Sequence, residues 1–155
     1  MAPSTLANPL RGEPGVMRRS AVYVVFAVAT IAAGLIVHHH GTILNPTVRD
    51  ILGDALWATM IVWWVSAIAP RTPLAIRAAI AYAICAAVEL SQRVHTPTLD
   101  AIRNVTLGKL ILGSGFDPRD FAAYALGVAV AIVIELVAGR RRMKSCRDRL
   151  PTVVG

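Results

Sequence analysis

The chain is 155 residues long and 55% hydrophobic, with 16 Lys and Arg against 9 Asp and Glu and a net charge of +7. Its mean hydropathy of +0.59 exceeds that of ordinary soluble domains, in which roughly half the residues at most are apolar, and an integral membrane protein is indicated. The basic residues gather at the ends of apolar runs, where they orient a membrane protein and meet anionic headgroups, so the positive charge does not signal a nucleic-acid partner.

Residues 1–16 hold Pro3, Pro9, Pro14, Gly12 and Gly15 without apolar periodicity, which predicts a disordered cytoplasmic tail. Four runs follow, 20–37, 51–69, 74–90 and 121–139, each long enough for a helix to cross ~30 Å of hydrocarbon. The first follows Arg18 and Arg19, is free of charge, and exceeds the ~7–15 apolar residues of a secretory signal, so it reads as an uncleaved anchor. The second contains Asp54, the third has Arg77 at its start and Glu89 at its end, and the fourth contains Glu135. Trp57, Trp63 and Trp64 are expected at the interface or facing lipid. Residues 140–155 form a basic cytoplasmic tail, leaving 17–139 as the membrane domain. The predicted fold class is all-α, a polytopic bundle of four transmembrane helices.

Arg11, Arg18 and Arg19, with Arg71, Arg77 and the Arg-rich stretch 140–149, outweigh Arg49, Arg93, Arg103, Lys109 and Arg119 on the opposite side. Positive loops stay in the cytoplasm, so both termini are expected there, in a multi-pass protein of the cell membrane. Cys85 lies in a span and Cys146 in a tail on the reducing side, so they make no disulfide framework, and Cys85 reads as a packing residue.

The connection 38–50 is short, and 70–73, with Pro70 and Pro73, is a tight turn that makes the second and third helices an antiparallel hairpin. The stretch 91–119 is far longer than the usual ~4–6 residues. It contains an apolar run, 105–116, broken by Gly108, Lys109, Gly113 and Gly115. That run is too short to span and reads as a re-entrant or interfacial segment.

Threading now brings polar groups together. The second helix starts, the third ends and the fourth starts on one side, so Asp54, Glu89, Gln92 and Asp120 share a boundary with the long connection and its Asp100 and Arg103. At 100° per residue, Asp120, Tyr124, Gly127, Ala131 and Glu135 form one stripe of the fourth helix, and the small pair Gly127 and Ala131 lets another helix approach. Glu89 shares a face with Ala78, Tyr82, Cys85 and Ala86. Ionisable groups are costly in lipid and mark function, so Asp54, Glu89, Gln92, Asp100, Arg103, Asp120 and Tyr124 are the candidate ligand-binding cluster.

Glu89 closes a helix, where its charge opposes the macrodipole; Arg93, Arg103 or a bound proton are its candidate partners. Asp117-Pro118-Arg119-Asp120 has the form of a capped helix start, which gives Asp120 a structural alternative to binding. Thr47 and Asp50 supply the start of the second helix, leaving Asp54 deeper in apolar sequence. Glu135 is expected to pair with nearby Arg140. His38, His39 and His40 are adjacent and point about 100° apart, so they make no facial triad, and no metal site is expected. No G-x-S-x-G, H-E-x-x-H, Walker or Rossmann pattern occurs, so no cofactor is expected and nucleophilic catalysis has no carrier.

Five motifs stand in order over residues 50–136: Gly53-Asp54-Ala55-Leu56-Trp57-Ala58, Glu89-Leu90-Ser91-Gln92, Leu99-Asp100-Ala101-Ile102-Arg103, the glycine-marked stretch 107–116, and Asp120 with Tyr124 and Gly127. Together they resemble the VanZ-like superfamily of small bacterial membrane proteins, and more closely a branch of it known only as a domain of unknown function. The Lys and His-Phe that follow the helix-two acid in the VanZ pattern are absent here, and Tyr124 stands where an asparagine is usual. The resemblance therefore implies four helices, an envelope location and the polar cluster, and does not carry over glycopeptide resistance. The expected function is non-catalytic binding of an anionic or glycosylated lipid-linked ligand, such as an envelope precursor, in an outward-facing pocket among membrane lipids. Asp54, Glu89 and Asp120 would shape that pocket, and Arg103 would meet the headgroup. A proton-coupled secondary transporter is the alternative, and a metal-dependent lipid-headgroup enzyme a second one.

Overall fold

The computed structural model describes residues 14–40, 43–94, 96–103, 105 and 115–147. Its helices are α1 (Pro14–His40), α2 (Pro46–Ile68), α3 (Leu74–Ser91), α4 (Pro97–Arg103) and α5 (Asp120–Arg147), and the described residues include no strand. Four of them, α1, α2, α3 and α5, are long and apolar enough to cross a membrane. The chain thus has the architecture of an all-helical, multi-pass membrane protein. Of the disordered tail expected over 1–16, residues 14–16 instead form the first turn of α1, where the chain runs on unbroken into the first span, and 1–13 lie outside the described residues; so does 106–114 of the apolar run 105–116.

Local chemistry sets the helix limits. Asn45, not Thr47 or Asp50, caps α2: its side-chain oxygen accepts the Thr47 amide at 2.9 Å, and Pro46 takes the first helical position, where a missing N–H costs nothing. Pro70 and Pro73 bound the turn between α2 and α3, and Arg77 Nε donates to the Thr72 carbonyl at 2.9 Å, tying that turn to the first turns of α3. At the start of α5, Asp117 Oδ1 accepts the Arg119 amide at 2.9 Å, the capping role its position predicts.

α2 is the central helix and packs against α1, α3 and α5, while α3 and α5 also touch each other. The core between them is built from small side chains: Ala58, Ala78, Ala81, Cys85 and Ala131, with Val62, Trp63, Tyr124 and Val128 filling the remaining space. Small residues let backbones approach where no hydrophobic drive separates helix from lipid. A close approach of α5 to α2 occurs at Gly127, where an added Cβ would fall on the carbonyl oxygen of Ala55. Thr59, buried beside it, places its hydroxyl 2.8 Å from the carbonyls of both Ala55 and Gly127 and so joins α2 to α5.

The tryptophans divide differently from expectation. Trp63 is buried, with its indole stacked on Phe26 at 5.1 Å and Tyr23 at 6.2 Å between ring centroids. The reason is phase: Trp63 lies on the α2 face that meets α1, whereas its neighbour Trp64 points outward and is exposed. Trp57 is half-buried against the core.

Candidate functional site

Glu89 is the hub. It sits in the last turn of α3, two residues before the helix ends, and is fully buried, at 0% exposure. A carboxylate buried without donors would be untenable in a low-dielectric interior, and three donors meet this one. Oε1 accepts the backbone amide of Asp117 at 2.8 Å. Oε2 accepts Gln92 Nε2 at 3.1 Å and the Tyr124 hydroxyl at 3.0 Å. The partners therefore come from the C-terminal cap of α3, from the approach to α5, and from the first turns of α5.

Gln92 is the capping residue of α3 and is itself buried. With its amide nitrogen turned to Glu89, its carbonyl Oε1 accepts the Gly115 amide at 3.0 Å. Phe116, between the two bound amides, has its ring 4.7 Å from the Arg93 guanidinium carbon and edge-on to Phe121 at 6.2 Å. Arg93 thus caps an aromatic face. Of the candidate partners of Glu89, Arg93 is turned to Phe116 and the side chain of Arg103 lies outside the described residues, while the contacts the structure shows come from backbone and neutral side chains.

Asp54 and Asp120 lie beside this hub. Both are half-buried, their carboxyls are within hydrogen-bonding reach of each other, and Glu89 is near enough to act on each electrostatically. Two carboxyls so placed share a hydrogen bond only when a proton sits between them. Asp120 opens α5, but the cap oxygen there belongs to Asp117, so Asp120 is available for other contacts.

The structure brings together Asp54, Glu89, Gln92, Asp120 and Tyr124. Asp100 and Arg103 belong by their backbone to α4, and their side chains lie outside the described part of the structure. Among the described residues, no group of three or more His, Cys, Asp or Glu side chains is arranged to hold a metal ion. His38, His39 and His40 are exposed in the last turn of α1.

A second polar cluster lies near the opposite end of the bundle. Arg77, on α3 and only 4% exposed, grips Glu135 of α5 with both terminal nitrogens, at 2.6 Å to Oε1 and 3.3 Å to Oε2. The Tyr23 hydroxyl of α1 donates to the same Oε1 at 2.8 Å, and the guanidinium carbon stands 5.3 Å from the centre of its ring. Glu135 therefore pairs with Arg77 of another helix, correcting the expected contact with Arg140. Connectivity held the signal: α3 starts where α5 approaches its end, so their terminal charges share a boundary just as the acids do at the other end. The backbone donors at Gly115 and Asp117 carry no sequence signal beyond proximity to a capped helix start.

No solved structure matches the chain. A family model described as "Protein of unknown function (DUF2809)" matches residues 43–128, a stretch that holds α2, α3, the long connection and the start of α5 with every member of the polar cluster. Spanning more than half of the sequence, that match shows that the chain belongs to this uncharacterised family.

Proposed function

We propose that the Glu89 end of the bundle binds a glycosylated, lipid-linked ligand of the cell envelope without chemical turnover. The observation that carries this reading is the pair of half-buried carboxyls, Asp54 and Asp120, standing beside a hub whose own oxygens are occupied by protein donors. Carboxyl oxygens accept hydrogen bonds from vicinal hydroxyls, which a sugar headgroup supplies in pairs. Two adjacent acids repel a phosphate, so of the anionic and glycosylated ligands the second suits this mouth better. The resemblance to the VanZ-like superfamily supports a bacterial envelope setting, and the distribution of Lys and Arg supports an outward-facing site with both termini cytoplasmic. The test is mass spectrometry of lipids that copurify with the wild type, Asp54→Asn and Asp120→Asn. A glycolipid enriched on the wild type and depleted about tenfold or more on both variants is expected for charge-assisted contacts. Equal recovery of every lipid from all three overturns the reading.

One observation favours proton-coupled transport as a second reading. Beyond the acids, α2 carries Thr59 and then Ser66, whose buried hydroxyl has no partner among the described residues, and the Tyr23–Glu135–Arg77 cluster follows. Polar groups thus recur along the bundle, as a proton path requires. Proton flux into liposomes, reduced by Glu135→Gln, would support it; absence of flux in the wild type removes it.

A further inference from the structure

We infer that Glu89 and Gln92 form a docking post for the end of the 91–119 connection, so that Glu89 is a positioning residue that sets Asp120 beside Asp54 rather than a group that meets the ligand. The inference rests on the reading of Asp54 and Asp120 as the ligand-facing pair. Glu89 is fully buried, and both its oxygens are engaged from within the protein: Oε1 by the Asp117 amide, Oε2 by Gln92 and Tyr124. With no exposed surface, it is beyond a ligand's reach unless the packing around it opens.

The geometry of 115–117 shows what those donors achieve. The amides of Gly115 and Asp117 both reach the end of α3, at 3.0 Å to Gln92 and 2.8 Å to Glu89, while the Phe116 ring between them meets Arg93 and Phe121. Alternate amides on one side are the mark of an extended segment, here paired to two side chains in place of a neighbouring strand. Gln92 serves as an adaptor: with its nitrogen committed to Glu89, its oxygen is left for Gly115. Asp117 then passes the register on, capping α5 through Arg119 and fixing where Asp120 begins the helix. Three residues thus tie the last span to the hub, and the spacing of the two ligand-facing acids follows from that tie.

Replacement of Glu89 by glutamine has a defined consequence. The amide oxygen keeps most contacts by facing Gln92 and Tyr124, which turns its NH2 towards the Asp117 amide, donor against donor. Hydrogen exchange of individual amides, followed by NMR on the full chain in lipid nanodiscs, reads this directly. Glu89→Gln is expected to speed exchange at Asp117, and Gln92→Leu exchange at Gly115, by about tenfold or more, the scale of one lost hydrogen bond to a buried acceptor. Tyr124→Phe, which leaves Oε1 untouched, and Asp54→Asn are expected to leave both amides protected. Unchanged protection in Glu89→Gln and Gln92→Leu overturns the inference, as does equal release by Asp54→Asn. Gln92 lies past the last residue of α3, so its variant keeps the test open if Glu89→Gln does not fold. Loss of protection in Glu89→Gln together with unchanged lipid recovery in Asp54→Asn and Asp120→Asn would sink the binding reading and leave the docking post standing.

Discussion

Gly127 brings α5 into close contact with α2, because a methyl group there would land on the Ala55 carbonyl. Gly127→Ala must push the helices apart and loosen the Thr59 bridge that joins them. We expect it to cost about 1–3 kcal/mol, the usual range for overpacking, seen as a lower thermal midpoint in detergent. Gly53→Ala meets open space and is expected to stay within about 0.5 kcal/mol of the wild type. Tyr124→Phe removes one donor from the buried Glu89 carboxylate, and a cost of about 1–3 kcal/mol is expected in the same assay. At this scale the sequence reveals Gly127 and Tyr124 through their stripe on one helix. It does not reveal how Glu89 is satisfied, because a search for charge partners looks to Arg93 and Arg103, while the shortest contact comes from the backbone of Asp117.

The elements are held at their other end by the Arg77–Glu135 pair and Tyr23. Breaking such a pair on one side leaves an uncompensated buried charge, whereas replacing both members with apolar residues removes the problem. Arg77→Met alone is therefore expected to destabilise the bundle by about 3–5 kcal/mol, and the double variant Arg77→Met with Glu135→Leu to be more stable than either single change. A double-mutant cycle of unfolding in detergent checks this; additive effects would show that the pair does not act as a unit. The network reaches α1 through Tyr23, alongside the stack of Tyr23 and Phe26 on Trp63, so the single variants should also loosen α1. Counting within one helix points Glu135 to Arg140, but residues five apart lie about 140° round the helix from each other. The partner is found only by asking which helix ends meet.

For the whole molecule, threading carries most of the information. Four spans and two short connections are legible in hydropathy and proline placement, and they fix which helix ends lie together before any contact is known. Trp63 was not legible in this way, since the interfacial preference of tryptophan says nothing about the rotational phase of α2 against α1. The orientation proposed from the Lys and Arg distribution predicts that a cysteine at Asn45 is labelled by an impermeant maleimide from outside the cell while one at Thr72 is protected; the reverse pattern would invert the protein. Threading sets up the acid-lined site proposed to bind hydroxyl-rich headgroups. The most direct measurement is native mass spectrometry of the protein titrated with a glycolipid and, separately, with a lipid of the same chains but no sugar. The expected result is saturable glycolipid binding that falls about tenfold or more when Asp54 and Asp120 are both changed to asparagine, with weak, non-saturating binding of the sugar-free lipid throughout. Equal binding of the two lipids, or glycolipid binding indifferent to that double change, would contradict it.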